Sequence, residues 1–271
     1  MGRDHRSRDL KANVTTLTAA GGASISIVAG GSGATSADTV LDGFTITGGK
    51  GTIGTNDLSG KLCGGGMYNA ESSPTVANCT FSGNTADCGG GMCNYGSRSV
   101  GASPTVTNCT FSDNIAEFGG GMYSRNNSYP VVTNCTFSGN TANGSGSGNG
   151  GGGMCNYDAS PTVTDCTFNG NTAKGSSACG GGMYNYYHCK VKMTNCTFSG
   201  NTVDGSASSY GGGMYNQLNA SFAFLTVTNC TFNGGDKLYI DKTSGNTTKS
   251  GLISIVNSIM GAPILPLPPI I

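Results

Sequence analysis

Residues 119–141 read Gly-Gly-Gly-Met-Tyr-Ser-Arg-Asn-Asn-Ser-Tyr-Pro-Val-Val-Thr-Asn-Cys-Thr-Phe-Ser-Gly-Asn-Thr, and the chain says nearly the same thing six times. Met67, Met92, Met122, Met154, Met183 and Met214 each follow three glycines, and an (Asn/Asp)-Cys-Thr-Phe then ends at Phe81, Phe111, Phe137, Phe168, Phe198 or Phe232. Successive methionines are 25, 30, 32, 29 and 31 residues apart. A period of roughly 20–50 residues marks a solenoid, a propeller or an array. Short runs rich in Thr, Val and Phe, broken by Gly, Asn, Ser and Pro and without an apolar stripe at helical spacing, exclude helical repeats. A propeller blade needs four strands in about 40 residues or more. The shortest copy has room for only about three short strands and three bends, one rung of a parallel β-helix. The expected fold is all-β: a single-stranded right-handed parallel β-helix (solenoid) of about eight to nine rungs, about 40 Å tall at the spacing between strands.

Composition agrees. The chain is 36% hydrophobic with 47 glycines, as expected where the core is a thin column and each rung touches only its neighbours. Fourteen basic and fourteen acidic residues cancel, which leaves no electrostatic footprint for nucleic acid or anionic lipid. No apolar run is long enough for a transmembrane helix. Met1–Lys11 is charged and lacks the apolar centre of a secretory signal. Because the repeat type argues for export, an incomplete gene product or another export route is expected. Residues 1–22 read as a disordered lead or the remnant of a cap, 23–260 as the β-helix, with Phe44 in the place of the later Phe column, and 261–271 as a Pro-rich apolar tail.

Alternation assigns the inward face. Val76, Val106, Val132, Val163, Met193 and Val227 point in, as do the Phe and Met columns; Thr80, Thr110, Thr136, Thr167, Thr197 and Thr231 point out. Asn78, Asn108, Asn134, Asp165, Asn195 and Asn229 form one expected corner ladder, read as an inner one, so that glycans on the Asn-Cys-Thr sequons would demolish the fold. Asn84, Asn114, Asn140, Asn171 and Asn201 form a second. Of the 12 cysteines, Cys79, Cys109, Cys135, Cys166, Cys196 and Cys230 occupy one column, read as small buried hydrophobes. No CxxC occurs, which argues against zinc or iron–sulfur ligation.

The pairing of G-G-G-M-Y-N with S-P-T-V-T-N-C-T-F-S-G-N-T-A resembles the repeat of polymorphic outer-membrane proteins, whose Phe-x-x-Asn tetrapeptide recurs as Phe81–Asn84, Phe111–Asn114, Phe137–Asn140, Phe168–Asn171 and Phe198–Asn201. Their Gly-Gly-Ala-(Ile/Leu/Val) is Gly-Gly-Met here. The resemblance covers roughly residues 23–260. It implies a bacterial surface or secreted β-helix passenger, often adhesive, although nothing here reads as the family's translocator barrel.

Insertions confined to fixed corners of a solenoid build its binding edge. The corner after Met-Tyr-Asn carries Tyr95, Arg98, Arg125, Tyr129, Tyr157, Tyr186, Tyr187 and His188, the candidate ligand-binding residues for a host or environmental glycan or a surface protein. His188 has no acidic partner within sequence reach. Parallel β-helices also host pectin- and polysaccharide-cleaving enzymes, which need converging carboxylates. Asp87 and Glu117, one rung apart in one column, are the only such pair; solvated loop charges are the plainer reading. No metal or cofactor is implied. The expected function is a non-catalytic extracellular or cell-surface module, monomeric or weakly associated end to end, that binds along this edge or acts as a spacer. A carbohydrate-active enzyme of the pectin-lyase-like class is the alternative, and ice binding through the outward Thr ladder a second.

Overall fold

The computed structural model describes residues 15–18, 27–28, 39–54, 58–144, 150–205, 210–217, 223–241 and 252–260. Each repeat supplies three short strands to the main sheets, and four repeats add a short fourth (Ile115–Ala116, Thr141–Ala142, Thr172–Lys174, Thr202–Asp204) that stacks into a sheet of its own. Those that follow the glycine triplets (Met67–Ala70, Met92–Tyr95, Met122–Arg125, Met154–Tyr157, Met183–Tyr186, Met214–Gln217) stack in parallel as the Met sheet, eight strands deep. The Val sheet, also of eight, contains Thr75–Ala77, Thr105–Thr107, Val131–Thr133 and Thr162–Thr164; the Phe sheet, of nine, contains Thr80–Ser82, Thr110–Ser112, Thr136–Ser138 and Thr167–Asn169. Every strand in these sheets pairs with its own equivalent in the next repeat, whatever the insert length between them. The architecture is therefore a parallel β-helix. About six turns carry the full repeat, fewer than the eight to nine expected, because the flanking strands add to the sheets without completing the motif.

Inside, the columns are as the alternation requires. The rings of Phe81, Phe111, Phe137, Phe168, Phe198 and Phe232 stack with centroids 4.6–4.9 Å apart and planes within 4° of parallel. The Met and Val columns beside them are almost completely buried. Each such side chain contributes about 1.5–3 kcal/mol on burial, so a chain poor in apolar residues still closes a dry interior.

The glycine triplet is needed residue by residue. Gly119 has a φ of 62°, in the region L side chains avoid. A Cβ on Gly120 would lie 2.6 Å from the Thr141 carbonyl oxygen, and one on Gly121 would meet the Gly153 carbonyl oxygen at 2.5 Å and the Phe137 ring at 2.9 Å.

Buried amides pair from turn to turn, with Asn69 Oδ1, Asn156 Oδ1 and Asn216 Nδ2 left without a partner among the described residues. Asn84, Asn114, Asn140, Asn171 and Asn201 form a buried ladder in which each Nδ2 donates to the next Oδ1 at 2.9–3.0 Å. From Asn114 onward the same Nδ2 also donates to a Phe carbonyl one turn back, as Asn114 does to Phe81 at 2.9 Å. A further buried ladder, not evident from the sequence, runs along the Met sheet: Asn69 donates to Asn94, Asn94 to Ser124, Asn156 to Asn185 and Asn185 to Asn216.

The column Asn78, Asn108, Asn134, Asp165, Asn195 and Asn229 corrects the expectation. Its residues take φ between 50° and 55° and do form side-chain ladder bonds, but they are exposed on the outside of the coil. The left-handed bend turns the side chain outward, so the sequon asparagines do not lie in the core. At the start of the stack Ile46, not Phe44, pairs with Phe81. The register through Asp42↔Ala77 and Thr45↔Thr80 puts Phe44 level with Cys79. Thr15–Thr18 pairs in parallel with Phe44–Thr47, so the stack reaches ahead of residue 23; residues 1–14 and the tail 261–271 lie outside the described residues.

All 12 cysteines are free and buried. The repeat cysteines do more than fill space. Each thiol donates to the carbonyl two residues before it, as Cys135 does to Thr133 at 3.2 Å, and in most turns it accepts a backbone N–H from the turn before, as from Cys109 at 3.4 Å. Ser258, next in line after Cys230, makes the same two bonds through Oγ, at 3.0 and 3.1 Å. Cys135→Ala, which strands the Cys109 N–H, is expected to cost about 1–3 kcal/mol, and Cys135→Ser under about 1 kcal/mol. Denaturant unfolding of both variants checks this; a serine variant less stable than the alanine one would contradict it.

The buried Asn ladder ends on Asp236, whose Oδ1 accepts the Nδ2 of Asn201 at 2.9 Å. Its other oxygen is buried without a hydrogen-bond partner, in the position from which the asparagines donate. Burial raises its pKa above the usual carboxylate range, against the opposing donors of Asn201 and Gly200. A carboxyl group with a raised folded-state pKa contributes stability below its unfolded pKa and loses it as pH rises through the folded one. Asp236→Asn, which restores the donor, is therefore expected to stabilise the protein at neutral pH by about 1–3 kcal/mol, with the gain shrinking as pH falls through the carboxylate range. Melting curves across pH decide; a variant less stable than the parent at neutral pH would contradict it.

Candidate functional site

The Met sheet ends in a column that changes character from turn to turn: Ala70, Tyr95, Arg125, Tyr157 and Tyr186 lie in register on its outer face. The bends that follow are tight. Glu71, Asn126, Asn127, Asp158 and Tyr187 all take φ between 47° and 69°. For Asn and Asp this is ordinary; for a bulky residue such as Tyr187 it is an outlier held by its surroundings.

These bends and strand ends enclose a groove of about 620 Å³, to which Tyr95, Arg98, Arg125, Tyr157, Asp158 and Tyr187 all contribute. Tyr157 and Tyr187 stack at 5.7 Å with planes 16° apart, and Tyr187 meets the His188 ring edge-on at 4.1 Å. The Arg125 guanidinium carbon lies 4.5 Å from the centre of the Tyr157 ring. Burial raises the Tyr157 hydroxyl above its usual range, partly offset by Arg125. His188 Nδ1 lies 3.4 Å from Asp158 Oδ1, so the acidic partner that sequence proximity did not offer is supplied by the preceding turn. Aromatic faces beside hydrogen-bonding cations and a carboxylate can hold a ring that is apolar on its faces and polar at its rim.

Five of the eight candidates line this groove. Of these, Tyr95 is only 3% exposed, a wall rather than an open contact, because it packs into the apolar layer outside the Met sheet. Tyr186 faces an adjoining pocket, and Tyr129, 48% exposed, stands apart with its hydroxyl on Asn127. Glu71, Asn126, Asn127 and Asp158 also line the groove and were missed. Their shared signal is the position just after the Met-sheet strand, which only the register makes visible.

Asp87 and Glu117 lie at a different corner. Their backbones pair, Glu117 N–H donating to the Asp87 carbonyl at 3.0 Å. Their carboxylates have separate partners, since Asp87 accepts the Leu62 N–H at 2.7 Å and Glu117 pairs with Lys61. The hydrogen bond that Lys61 donates to Glu117 holds the Lys61 pKa above its usual value.

Comparison with known proteins settles the architecture's lineage. The family model for a right handed beta helix region matches residues 13–258. The chain belongs to this family. Its coil is therefore right-handed, as the crossover rule for parallel strands also requires. No curated protein and no solved structure matches the chain. Among the described residues, no helix is long and apolar enough to cross a membrane.

Proposed function

We propose that this β-helix is a non-catalytic extracellular or cell-surface module that binds glycan through the groove at the ends of the Met sheet. The observation that carries the reading is the stacked Tyr157–Tyr187 pair flanked by Arg98, Arg125 and Asp158 in one groove of about 620 Å³. Sugar rings stack on such faces while cationic and acidic groups take their hydroxyls. The strained backbone at Tyr187 supports it, since such outliers cluster at ligand clamps. The resemblance of the Phe-x-x-Asn repeat to polymorphic outer-membrane proteins, and with it an adhesive role at a bacterial surface, belongs to the same proposal.

A carbohydrate-active enzyme is a second reading, favoured by the Asp158–His188 pair in place of Asp87 and Glu117. Glycan cleavage lost in Asp158→Asn would support it.

Tyr187→Asn removes the ring and puts a residue tolerant of left-handed φ in its place. We expect it to melt within a few degrees of the parent yet bind glycan at least about tenfold more weakly, measured on a glycan array and by titration with the best hit. No glycan bound by the parent, or equal binding by the variant, would contradict the reading.

A further inference from the structure

The outer face of the Met sheet carries a second apolar layer, built from two columns. The residue after each Met reads Tyr68, Cys93, Tyr123, Cys155, Tyr184 and Tyr215, with Tyr239 next in register. The residue before each glycine triplet reads Cys63, Cys88, Phe118, Gly150, Cys179 and Tyr210. These columns pack together. In the turn of Met92 the small Cys93 is closed over by Cys63, Cys88 and Tyr95, all buried.

In the turn of Met154 both columns shrink at once. Cys155 stands where its neighbours carry tyrosine, and Gly150 brings no side chain to cover it. A Cβ on Gly150 would collide with the Cys179 carbonyl oxygen, so this turn has no room for the covering residue found in the others. The outcome is a pocket of about 240 Å³. Among the described residues its walls are Phe118 and Tyr123 from the turn before and Tyr184 and Tyr186 from the turn after, with Cys155, Tyr157 and Arg125 completing it.

The chemistry of this lining is specific. Four tyrosines and a phenylalanine offer ring faces and edges, and the volume exceeds the roughly 150 Å³ known to admit a benzene ring. The Cys155 thiol has its pKa raised well above the usual value by burial and is an inert part of the wall. Among the described residues Arg125 is the one charged member of the lining, half-buried, with Nη1 donating to the Tyr123 hydroxyl at 3.4 Å. A site with aromatic walls and one guanidinium complements a planar ring that bears an anion.

We propose that the pocket over Cys155 binds a small single-ring aryl carboxylate, the ring against the tyrosines and the carboxylate on Arg125. This rests on the reading of the edge as a ligand surface, because Arg125 and Tyr157 line both the groove and the pocket.

The test is calorimetric titration of the whole chain with benzoate and with its neutral analogue benzamide. The parent is expected to bind benzoate more tightly than benzamide. Cys155→Tyr, which fills the pocket with the residue its column carries in the turns on either side, is expected to keep the β circular-dichroism spectrum and lose benzoate binding. Should that variant not fold, Cys155→Met fills the same space and is held to the same result. Arg125→Gln is expected to weaken benzoate on the order of tenfold and leave benzamide unchanged. Arg98→Gln, at a residue that lines the groove and not the pocket, should bind benzoate as the parent does, so failure of the glycan reading leaves this result intact. Absence of benzoate binding at millimolar concentration, benzoate binding retained in the filled variant, or equal losses of both ligands in Arg125→Gln would overturn the proposal.

Discussion

The ladder amides buried in this coil find their partners one turn above or below, at the spacing of parallel strands, and that vertical constraint governs the rest. A β-helix has no thick core in which an odd amide could find company. Unpaired, each would cost about 1–3 kcal/mol. The asparagine ladder from Asn84 to Asn201, the one along the Met sheet and the thiol column from Cys79 to Cys230 answer the same demand at different places on the coil. They hold the turns in register, and the register in turn stacks the phenylalanine rings at less than 5 Å.

The constraint explains which residues never change and which do. A position inside the coil must match the position above it, so Met, Phe and the glycine triplet recur with little freedom. Outside, the sheet face tolerates Tyr, Cys, Arg or Asp in successive turns, because solvent or a second apolar layer can accommodate each. Binding capacity arises where repetition lapses. The groove exists because the column that ends the Met-sheet strands changes from Tyr95 to Arg125 to Tyr157, and the pocket because Cys155 and Gly150 are small in the same turn.

Much of this was legible in the sequence. A column that stays apolar through six copies announces its burial, and alternation separates it from the equally constant outward Thr80 column, so the Met, Phe and Val faces and the sheet order follow from residue type and spacing. Side-chain direction at a bend does not. Alternation fails once a residue enters left-handed φ, which is why the Asn78 column reads as internal in sequence and stands outside in space. The Asn69–Asn94 ladder escaped notice because Ser124 interrupts it and because two of its neighbours, Tyr68 and Tyr123, look like surface residues until the second apolar layer is seen. Phe44 misled through identity: the turn it belongs to lacks the repeat cysteine, and the ring occupies that place while Ile46 supports Phe81. At the site, residue types pointed to the right corner, but Asp158 and His188 come together only across turns, 30 residues apart in sequence.

The most direct test of the stacked register is the distance between outward threonines as turns are counted. Thr80 with Thr167 and Thr80 with Thr231 are to be replaced pairwise by cysteine and spin-labelled, the native thiols being buried, and measured by double electron–electron resonance. The account predicts narrow distributions near about 14 Å and about 24 Å, three and five strand spacings, indifferent to the lengths of the inserts between. Broad distributions, or separations that grow with insert length rather than with the number of turns, would contradict it.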